Sequence, residues 1–364
     1  MAGTAAGTAS FRAALNGLPA GHFRDLDGLT VSSIGFGTYL GDEDDETDRD
    51  YTRAMTRAVA LGCNLFDTAI NYRAQRSERV LGRTLGELVR TSALRREQMV
   101  LCTKAGYLPF DDYLPPDPGA YLHDTYVRSG LVSPEELVAG CHAMTPQFLE
   151  DQLARSLTNL GVGTIDVFYL HNPETHLGAV PRSEFLARIR TAFETLERAV
   201  AAGRIGRYGV ATWNGFRQPP EAREHLSLLE LVREADALGG AAHHFRVVQV
   251  PYNLAMPEAA VTHTQLVGTQ RRTLLEAATE LGIHVVASAS ILQGQLSRRL
   301  PQAVATALPG LATSAQRAIQ FVRSTTGVTT ALVGMARTAH VEENLAVASF
   351  EPAVAGVDSL LAGR

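Results

Sequence analysis

The chain has 364 residues, of which 45% are apolar and 20% charged, and its formal net charge at pH 7 is −5. This composition excludes a disordered or fibrous protein. The net negative charge and the lack of a basic cluster give no support for binding to nucleic acid or to an anionic membrane. No run approaches the roughly 18 apolar residues of a membrane-spanning helix. We therefore expect a small-molecule partner, and the few, mostly apolar-flanked cysteines favour a reducing, cytoplasmic compartment.

Residues 1–20 are rich in Ala, Gly and Thr and are expected to form a flexible leader before a single domain at 21–350 and a tail at 351–364. In the domain, eight short apolar runs alternate with stretches in which apolar residues recur every three or four positions. Such runs are typical of buried strands, and such stretches of amphipathic helices. The runs are Val31–Gly35, Cys63–Asp67, Met99–Lys104, Ile165–His171, Ile205–Ala211, Arg246–Pro251, Ile283–Ala287 and Thr330–Gly334.

Glycines at 62, 161, 203 and 282 follow helical stretches, where a left-handed cap favours glycine. Successive parallel strands need a crossover helix, and eight such units close into a barrel at this length. The pattern predicts one (β/α)8 barrel, and two doubly wound halves are the alternative.

Three long connections, at 105–144, 252–268 and 289–311, each follow a predicted strand. In a barrel they would lie on the face that carries catalysis, as lids or pocket walls. The acid-rich segment 41–50 also follows a strand, but it lacks the oxygen spacing of a calcium loop and its acids suit a helix start. We predict no metal site there.

Polar residues close five of the predicted strands: Asp67, Lys104, His171, Thr212 and Gln249. In a barrel these ends meet at one rim and form a polar site above an apolar core. Lys104 is the only lysine among 33 basic side chains. Either it survived by chance in an arginine-rich chain, or the protein needs a compact ammonium that arginine does not replace.

Other chemistries lack their motifs. The sequence contains no HExxH, no GxSxG, no paired-cysteine zinc spacing and no nucleotide P-loop, so metal-dependent hydrolysis and ATP chemistry have little support.

Ordered motifs across nearly the whole chain resemble those of the aldo-keto reductase family, from the segment Val31–Tyr39 to Glu342–Leu345. Between them stand Phe66–Ala69 with Asn71–Tyr72, Thr103–Lys104, Tyr169–His171, Tyr208–Val210, Gln249 with Tyr252–Leu254, and Val333–Met335. The resemblance is to a bacterial member with long loops after the third, sixth and seventh strands. It implies a (β/α)8 TIM barrel with an N-terminal hairpin and long loops on the catalytic face.

The resemblance implies NAD(P)H-dependent reduction of an aldehyde or ketone by a catalytic tetrad of Asp67, Tyr72, Lys104 and His171. A tyrosine is a poor acid unless a cation lies beside it, and Lys104 would supply that charge. Asp67 would keep Lys104 charged and oriented, and His171 would bond the carbonyl oxygen.

The implied cofactor is a nicotinamide dinucleotide, NADP(H) in preference to NAD(H). Arg337 and His340 are the candidates for a 2′-phosphate, because an arginine fork grips phosphate in a bidentate manner. The full set of implied cofactor-binding residues is Gly37, Thr38, Asp67, Thr212, Gln249, Ser288, Ser290, Ile291, Gln293, Gly294, Leu296, Gly334, Met335, Arg337, His340, Glu343 and Asn344.

The expected partner is a small-molecule carbonyl compound rather than nucleic acid or a membrane, and no feature distinguishes an oligomer interface. Tyr39, Tyr107, Asn172 and Trp213, with an aromatic loop that contains residues 113, 121 and 126, suit a ring-bearing, uncharged carbonyl.

Two positions depart from the family pattern. Ser288 stands where an aromatic residue usually stacks on the nicotinamide, and Ala211-Thr212 replaces a frequent Ser-Asn pair. These departures keep two alternatives open. One is a nicotinamide-binding sensor or partner subunit with little turnover, and the other is an internal-redox isomerase or lyase acting on a sugar or natural product. A barrel that binds no cofactor is the simplest contrasting hypothesis.

Overall fold

The computed structural model describes residues 2–362, so residue 1 of the expected leader and residues 363–364 of the expected tail lie outside the described residues. The β-strands in this part are β1 (Phe23–Leu26), β2 (Leu29–Ser32), β3 (Ile34–Gly37), β4 (Leu65–Asp67), β5 (Val100–Ala105), β6 (Ile165–His171), β7 (Ile205–Ala211), β8 (Phe245–Pro251), β9 (Gln265–Val267), β10 (Gln270–Arg272), β11 (His284–Ser288) and β12 (Val328–Gly334).

Eight of these strands close into a parallel barrel in the order β3-β4-β5-β6-β7-β8-β11-β12. The predicted barrel is thus confirmed, and the alternative of two doubly wound halves is wrong. The first predicted run is misplaced, because residues 31–35 cover the end of β2 and the start of β3. Ser33 separates them, and its N–H bonds the His22 carbonyl at 2.7 Å.

The α-helices are α1 (Ala5–Ala14), α2 (Asp45–Ala60), α3 (Arg76–Arg90), α4 (Pro118–Leu122), α5 (Pro146–Leu160), α6 (Arg182–Ala201), α7 (Leu228–Gly239), α8 (Glu258–Val261), α9 (Leu274–Glu280), α10 (Gln302–Ala307), α11 (Ser314–Ser324), α12 (Thr338–Leu345) and α13 (Val354–Leu361). Their ends carry the expected signals. Pro146 begins α5, and Gly161 ends it at φ 64°. Within residues 2–362, no helix is both long and apolar enough to span a membrane.

The expected N-terminal hairpin, β1–β2, lies at the N-terminal end of the barrel. Its Leu26, Leu29 and Val31 join one buried cluster with barrel residues such as Val100 and Val247. The hairpin therefore closes that end with apolar side chains, and the opposite, C-terminal rim is left for a site.

The expected flexible leader is instead helical over most of its length. Thr4 caps α1 by accepting the Gly7 N–H, Phe11 is buried, and the Gly3 N–H bonds the Asp166 carboxylate at 2.6 Å. Ordering this Ala- and Gly-rich segment costs conformational entropy, and the burial of Phe11 opposes that cost. The expected tail likewise contains α13, with Val357 buried.

All three long connections join the C-terminal end of a strand to the next barrel helix, as predicted. The middle one, however, lines no part of the cavity described below. Its β9–β10 hairpin is bound to α7, since Gln265 accepts the Leu228 N–H at 2.8 Å. In the acid-rich segment, Asp44 caps α2 through the Thr47 N–H.

Candidate active site

Neighbouring barrel strands bring the predicted tetrad together. Asp67 ends β4, Lys104 lies near the end of β5 and His171 ends β6, while Tyr72 lies in the turn after β4. Asp67, Tyr72 and His171 line a cavity of about 440 Å³ at the C-terminal rim, and Lys104 lies behind its wall. The three strand ends are adjacent because β4, β5 and β6 pair in register.

Lys104 is held in one position by its partners. Its Nζ donates to Asp67 Oδ1 at 2.5 Å and to the Thr68 carbonyl at 2.8 Å. The other Asp67 oxygen accepts a 2.7 Å bond from Gln249 Nε2. Burial works against the charged ammonium, but the charge and hydrogen bond of Asp67, together with the neighbouring Tyr72 and Cys102, outweigh burial and raise the pKa of Lys104.

Lys104 faces the ring of Tyr72, with Nζ 4.9 Å from the ring centroid. Burial raises the pKa of Tyr72, and the nearby ammonium partly opposes that rise. Burial, together with the charge of Lys104, lowers the pKa of His171 well below its ordinary value. At neutral pH the site therefore holds a protonated phenol, a neutral imidazole and a charged ammonium.

A chain of hydrogen bonds supports His171 from behind. His142 Nε2 donates to the His171 carbonyl at 2.6 Å, and His142 Nδ1 accepts from His176 Nε2 at 3.0 Å. Arg188 donates in turn to His176 Nδ1 at 3.1 Å. A Cβ on Gly106 would lie 2.6 Å from His142 Nε2, so only glycine leaves room for this imidazole.

The turn after Tyr72 has an unusual backbone. Arg73, Ala74 and Gln75 have φ values of 48°, 50° and 70°, in the left-handed region that costs non-glycine residues free energy. Arg73 offsets that cost, since its guanidinium bonds the Asp42 carbonyl and Asp48 at 2.7 Å each. The Asp48 carboxylate also pairs with Arg76 at 3.0 Å, and so anchors this turn to α2.

Most of the expected cofactor and substrate residues lie together around the cavity. Three buried polar atoms of lining residues have no hydrogen-bond partner within residues 2–362: Asn71 Oδ1, His171 Nδ1 and Thr212 Oγ1. They are available to a bound ligand. The sequence-predicted residues in the lining are Gly37, Thr38, Tyr39, Asp67, Tyr72, Tyr107, His171, Asn172, Thr212, Trp213, Gln249, Ser288, Ser290, Ile291, Gln293 and Gly334.

Other expected cofactor residues lie outside this lining: Gly294, Leu296, Met335, Arg337, His340, Glu343 and Asn344. The Met335 side chain is fully buried in the main core. Arg337 and His340 are exposed at the start of α12, and Arg337 makes no ion pair within the described residues.

The aromatic loop does not line the cavity. Tyr126 is buried beside Phe148, and its hydroxyl bonds the Pro109 carbonyl at 2.6 Å, while Tyr113 is exposed to solvent. This long connection has its own small core. Periodicity did not reveal it because the helical segments of the connection are short and irregular. The expectation that this loop forms the pocket is wrong except for Tyr107.

Sequence reasoning missed several contributors. Leu40, Asn71, Ala289 and Leu332 also line the cavity. Asn71 stands next to Tyr72 in the chain, so its position in the motif was a usable signal. The support from His142 arises from contacts between residues far apart in sequence, for which the chain offers no local pattern.

Comparisons with known proteins agree with this architecture. A sequence model of the aldo/keto reductase family matches residues 33–355. The 6-dehydroglucose reductase of Novosphingobium aromaticivorans is 28% identical over 195 residues, 52% of this chain and 51% of that protein. The D-threo-aldose 1-dehydrogenase of a Pseudomonas species is 27% identical over 191 residues, 51% of each. The chain therefore spans about half the length of these curated relatives.

Solved structures with the same fold cover nearly the whole chain. An aldo/keto reductase from Klebsiella pneumoniae, solved with NADP and acetate, has a TM-score of 0.61 and 21% identity, with 92% of each chain covered. The holo form of an aldo-keto reductase from Bacillus halodurans has a TM-score of 0.61 and 19% identity, covering 93% of this chain and 95% of that one.

Proposed function

The chain belongs to the aldo/keto reductase family, and on that premise we propose that it reduces the carbonyl group of an aldehyde or ketone to an alcohol with a nicotinamide cofactor. One observation carries the proposal. A phenol, an ammonium, a carboxylate and a neutral imidazole converge on one cavity at the C-terminal rim of the barrel. That combination suits delivery of a proton to an oxygen that gains negative charge.

In this proposal Tyr72 gives its phenolic proton to the carbonyl oxygen of the substrate. The positive charge of Lys104 stabilises the phenolate that remains, and Asp67 keeps that ammonium charged. His171 stays neutral and offers a ring N–H to the same oxygen, which orients the substrate. Both oxygens of Asp67 accept a hydrogen bond, one from Lys104 and one from Gln249, which fixes the carboxylate beside the ammonium.

The residues present fit a nicotinamide cofactor, which when bound supplies a hydride to the carbonyl carbon. Thr212 Oγ1 and Asn71 Oδ1 are buried polar atoms without a partner in the described structure, and both residues line the cavity. Thr212 and Gln249 would hold the carboxamide. The turn Ser290 to Leu296, of which Ser290, Ile291 and Gln293 line the cavity, would hold the pyrophosphate.

Arg337 favours NADP(H) over NAD(H). Its guanidinium is exposed at the start of α12, free of ion pairs within residues 2–362, and can grip a 2′-phosphate. Support also comes from the Klebsiella pneumoniae reductase, which was solved with NADP and with NADPH.

We infer an uncharged substrate with an apolar face. Tyr39, Tyr107, Asn172 and Trp213 line the cavity, and neither Lys nor Arg belongs to its described lining. The one carboxylate there, on Asp67, is already paired. A phosphorylated substrate would lose its hydration without gaining a cationic partner.

The test is a titration of the protein with NADPH and NADH, followed by Trp213 fluorescence, and then a panel of carbonyl compounds followed by nicotinamide absorbance. The panel contains neutral ring-bearing ketones, aldoses and phosphorylated sugars. We expect tighter binding of NADPH and turnover of the uncharged compounds, which falls at least about 100-fold in Tyr72→Phe. Tyr113→Phe, which removes an exposed hydroxyl away from the cavity, is the matched control.

Two results would contradict the proposal. Tight NADPH binding without turnover of any carbonyl compound would favour the sensor alternative. Equal activity of Tyr72→Phe and the wild type would remove the proton donor from the mechanism.

A further inference from the structure

A buried carboxylate joins two of the loops that surround the cavity. Glu174 lies in the turn after β6, and its side chain is almost fully buried. Its Oε1 accepts the backbone N–H groups of Trp213, Asn214 and Gly215 at 2.9, 3.1 and 3.3 Å. These three amides follow β7, which places Trp213 directly beyond the rim.

Three successive backbone N–H groups aimed at one oxygen form an anion-binding nest. Without the carboxylate, the donors would lose their charge-assisted partner in a region sheltered from water. The contact therefore fixes the conformation of the turn 213–215. Glu174 itself does not line the cavity, so it does not touch the substrate.

Trp213 is the only tryptophan of the chain and its side chain is 42% exposed, although it forms part of the cavity wall. The bonds from Glu174 fix the backbone of the turn at Trp213. They therefore set the point from which the indole reaches the cavity wall.

We propose that Glu174 is a positioning residue that holds Trp213 as the wall against which the apolar face of the substrate packs. The inference rests on the proposed function, and it assigns substrate recognition to the link between the loops after β6 and β7. Loss of the link frees the indole and weakens substrate binding, while Tyr72, Lys104 and His171 keep their positions. Loss of the link should therefore raise KM and leave kcat nearly unchanged.

The experiment compares Glu174→Ala, Glu174→Gln and the control Glu197→Gln. Glu197 is a partly buried carboxylate near the C-terminal end of α6 that accepts the His244 N–H at 2.8 Å, and it does not line the cavity. We expect Glu174→Ala to raise KM about tenfold with little change in kcat, and to increase quenching of Trp213 by acrylamide. Glu174→Gln retains an acceptor oxygen and should restore much of both properties.

A double-mutant cycle with Trp213→Ala sharpens the test. If Glu174 acts through the indole, the double variant has the same KM as Trp213→Ala alone. The proposal is overturned if Glu174→Ala leaves acrylamide quenching unchanged, or if the two KM effects multiply. Should Glu174→Ala fail to fold, Glu174→Asp enters the same cycle, because its shorter side chain withdraws the acceptor oxygen from the three N–H groups.

The acrylamide-quenching measurement tests this proposal independently of the proposed function, because it requires no turnover. If the wild type reduces no carbonyl compound, the proposed function fails. Quenching of Trp213 still shows whether Glu174 holds the turn, and an unchanged signal overturns that claim on its own.

Discussion

Lys104 combines deep burial with a required positive charge. Its side chain is 1% exposed, and Asp67 together with the neighbouring Tyr72 and Cys102 outweighs the desolvation penalty. The strand-end position of this lone lysine predicted a role at the rim, and the structure places its ammonium beside Tyr72. Lys104 pairs with Asp67, which also accepts a bond from Gln249, and the three residues lie on three separate strands, so composition alone did not provide this network.

We expect Lys104→Arg to reduce kcat by at least about 100-fold, because the bulkier guanidinium cannot place its charge where the compact ammonium faces Tyr72. NADPH affinity should change little, since Lys104 lies outside the cavity lining. Single-turnover rates and a nucleotide titration measure the two effects. An unchanged rate would show that any cation suffices at this position.

His142 makes stability depend on pH. Burial lowers its pKa to about 4 in the folded protein, from an ordinary value of 6.5. Between these values the unfolded chain binds a proton that the folded protein excludes, so stability falls as the pH decreases through this window. One such group costs about 1.4 kcal/mol per pH unit.

We therefore expect His142→Gln to flatten the fall in unfolding free energy between pH 6.5 and pH 4.5. Glutamine can still donate to the His171 carbonyl and accept from His176. Urea unfolding at several pH values measures the slope. Replacement of the exposed His340 by glutamine is the control, and equal slopes in the two variants would contradict the assignment.

At the scale of elements, sequence periodicity located seven of the eight barrel strands, since each is a short apolar run between amphipathic helices, and placed the first run across β2 and β3. It did not resolve turns with left-handed backbones, such as those at 73–75 and at 139–140. Non-glycine residues rarely adopt positive φ, so Arg73 and Ala139 carried no local signal. Such conformations depend on tertiary restraints that a single sequence does not show.

The turn at Ala139 and Gly140 offers a direct test of this backbone cost. Their φ values are 51° and 70°, and both residues are exposed. We expect Ala139→Gly to stabilise the protein by up to about 1 kcal/mol, and Gly140→Ala to destabilise it by a similar amount. A Cβ on Gly140 meets no atom within 4 Å, so the effect isolates the backbone. Thermal or urea unfolding measures both, and shifts of the same sign would contradict the interpretation.

At the scale of the whole molecule, the cavity gathers residues from strands around the barrel, including Gly37 of β3 and Gly334 of β12. A ligand bound there contacts parts of the chain nearly 300 residues apart in sequence. The order of the motifs along the sequence predicted that these residues meet, because consecutive strands of a closed barrel end at one rim. The helical leader was not predicted, because its small residues gave no amphipathic pattern strong enough to indicate a partner.

Cofactor binding should therefore stabilise the entire fold. With NADPH at 100 times its dissociation constant we expect a gain of about 2.7 kcal/mol, which raises the melting temperature by roughly 3 °C for a domain of this size. Arg337→Leu should reduce the NADPH shift to that seen with NADH, because it removes the proposed 2′-phosphate contact. Differential scanning fluorimetry measures the shifts, and equal NADPH shifts in both proteins would exclude Arg337 from that role.

The burial of Lys104 has a further consequence for chemical labelling. It carries the only side-chain amine in the chain, and that amine is both enclosed and protonated. An acylating reagent therefore reaches it only in molecules whose rim has opened. Each molecule gains at most one acyl group on lysine, so the mass of the peptide that contains Lys104, followed over time, measures how often the rim opens.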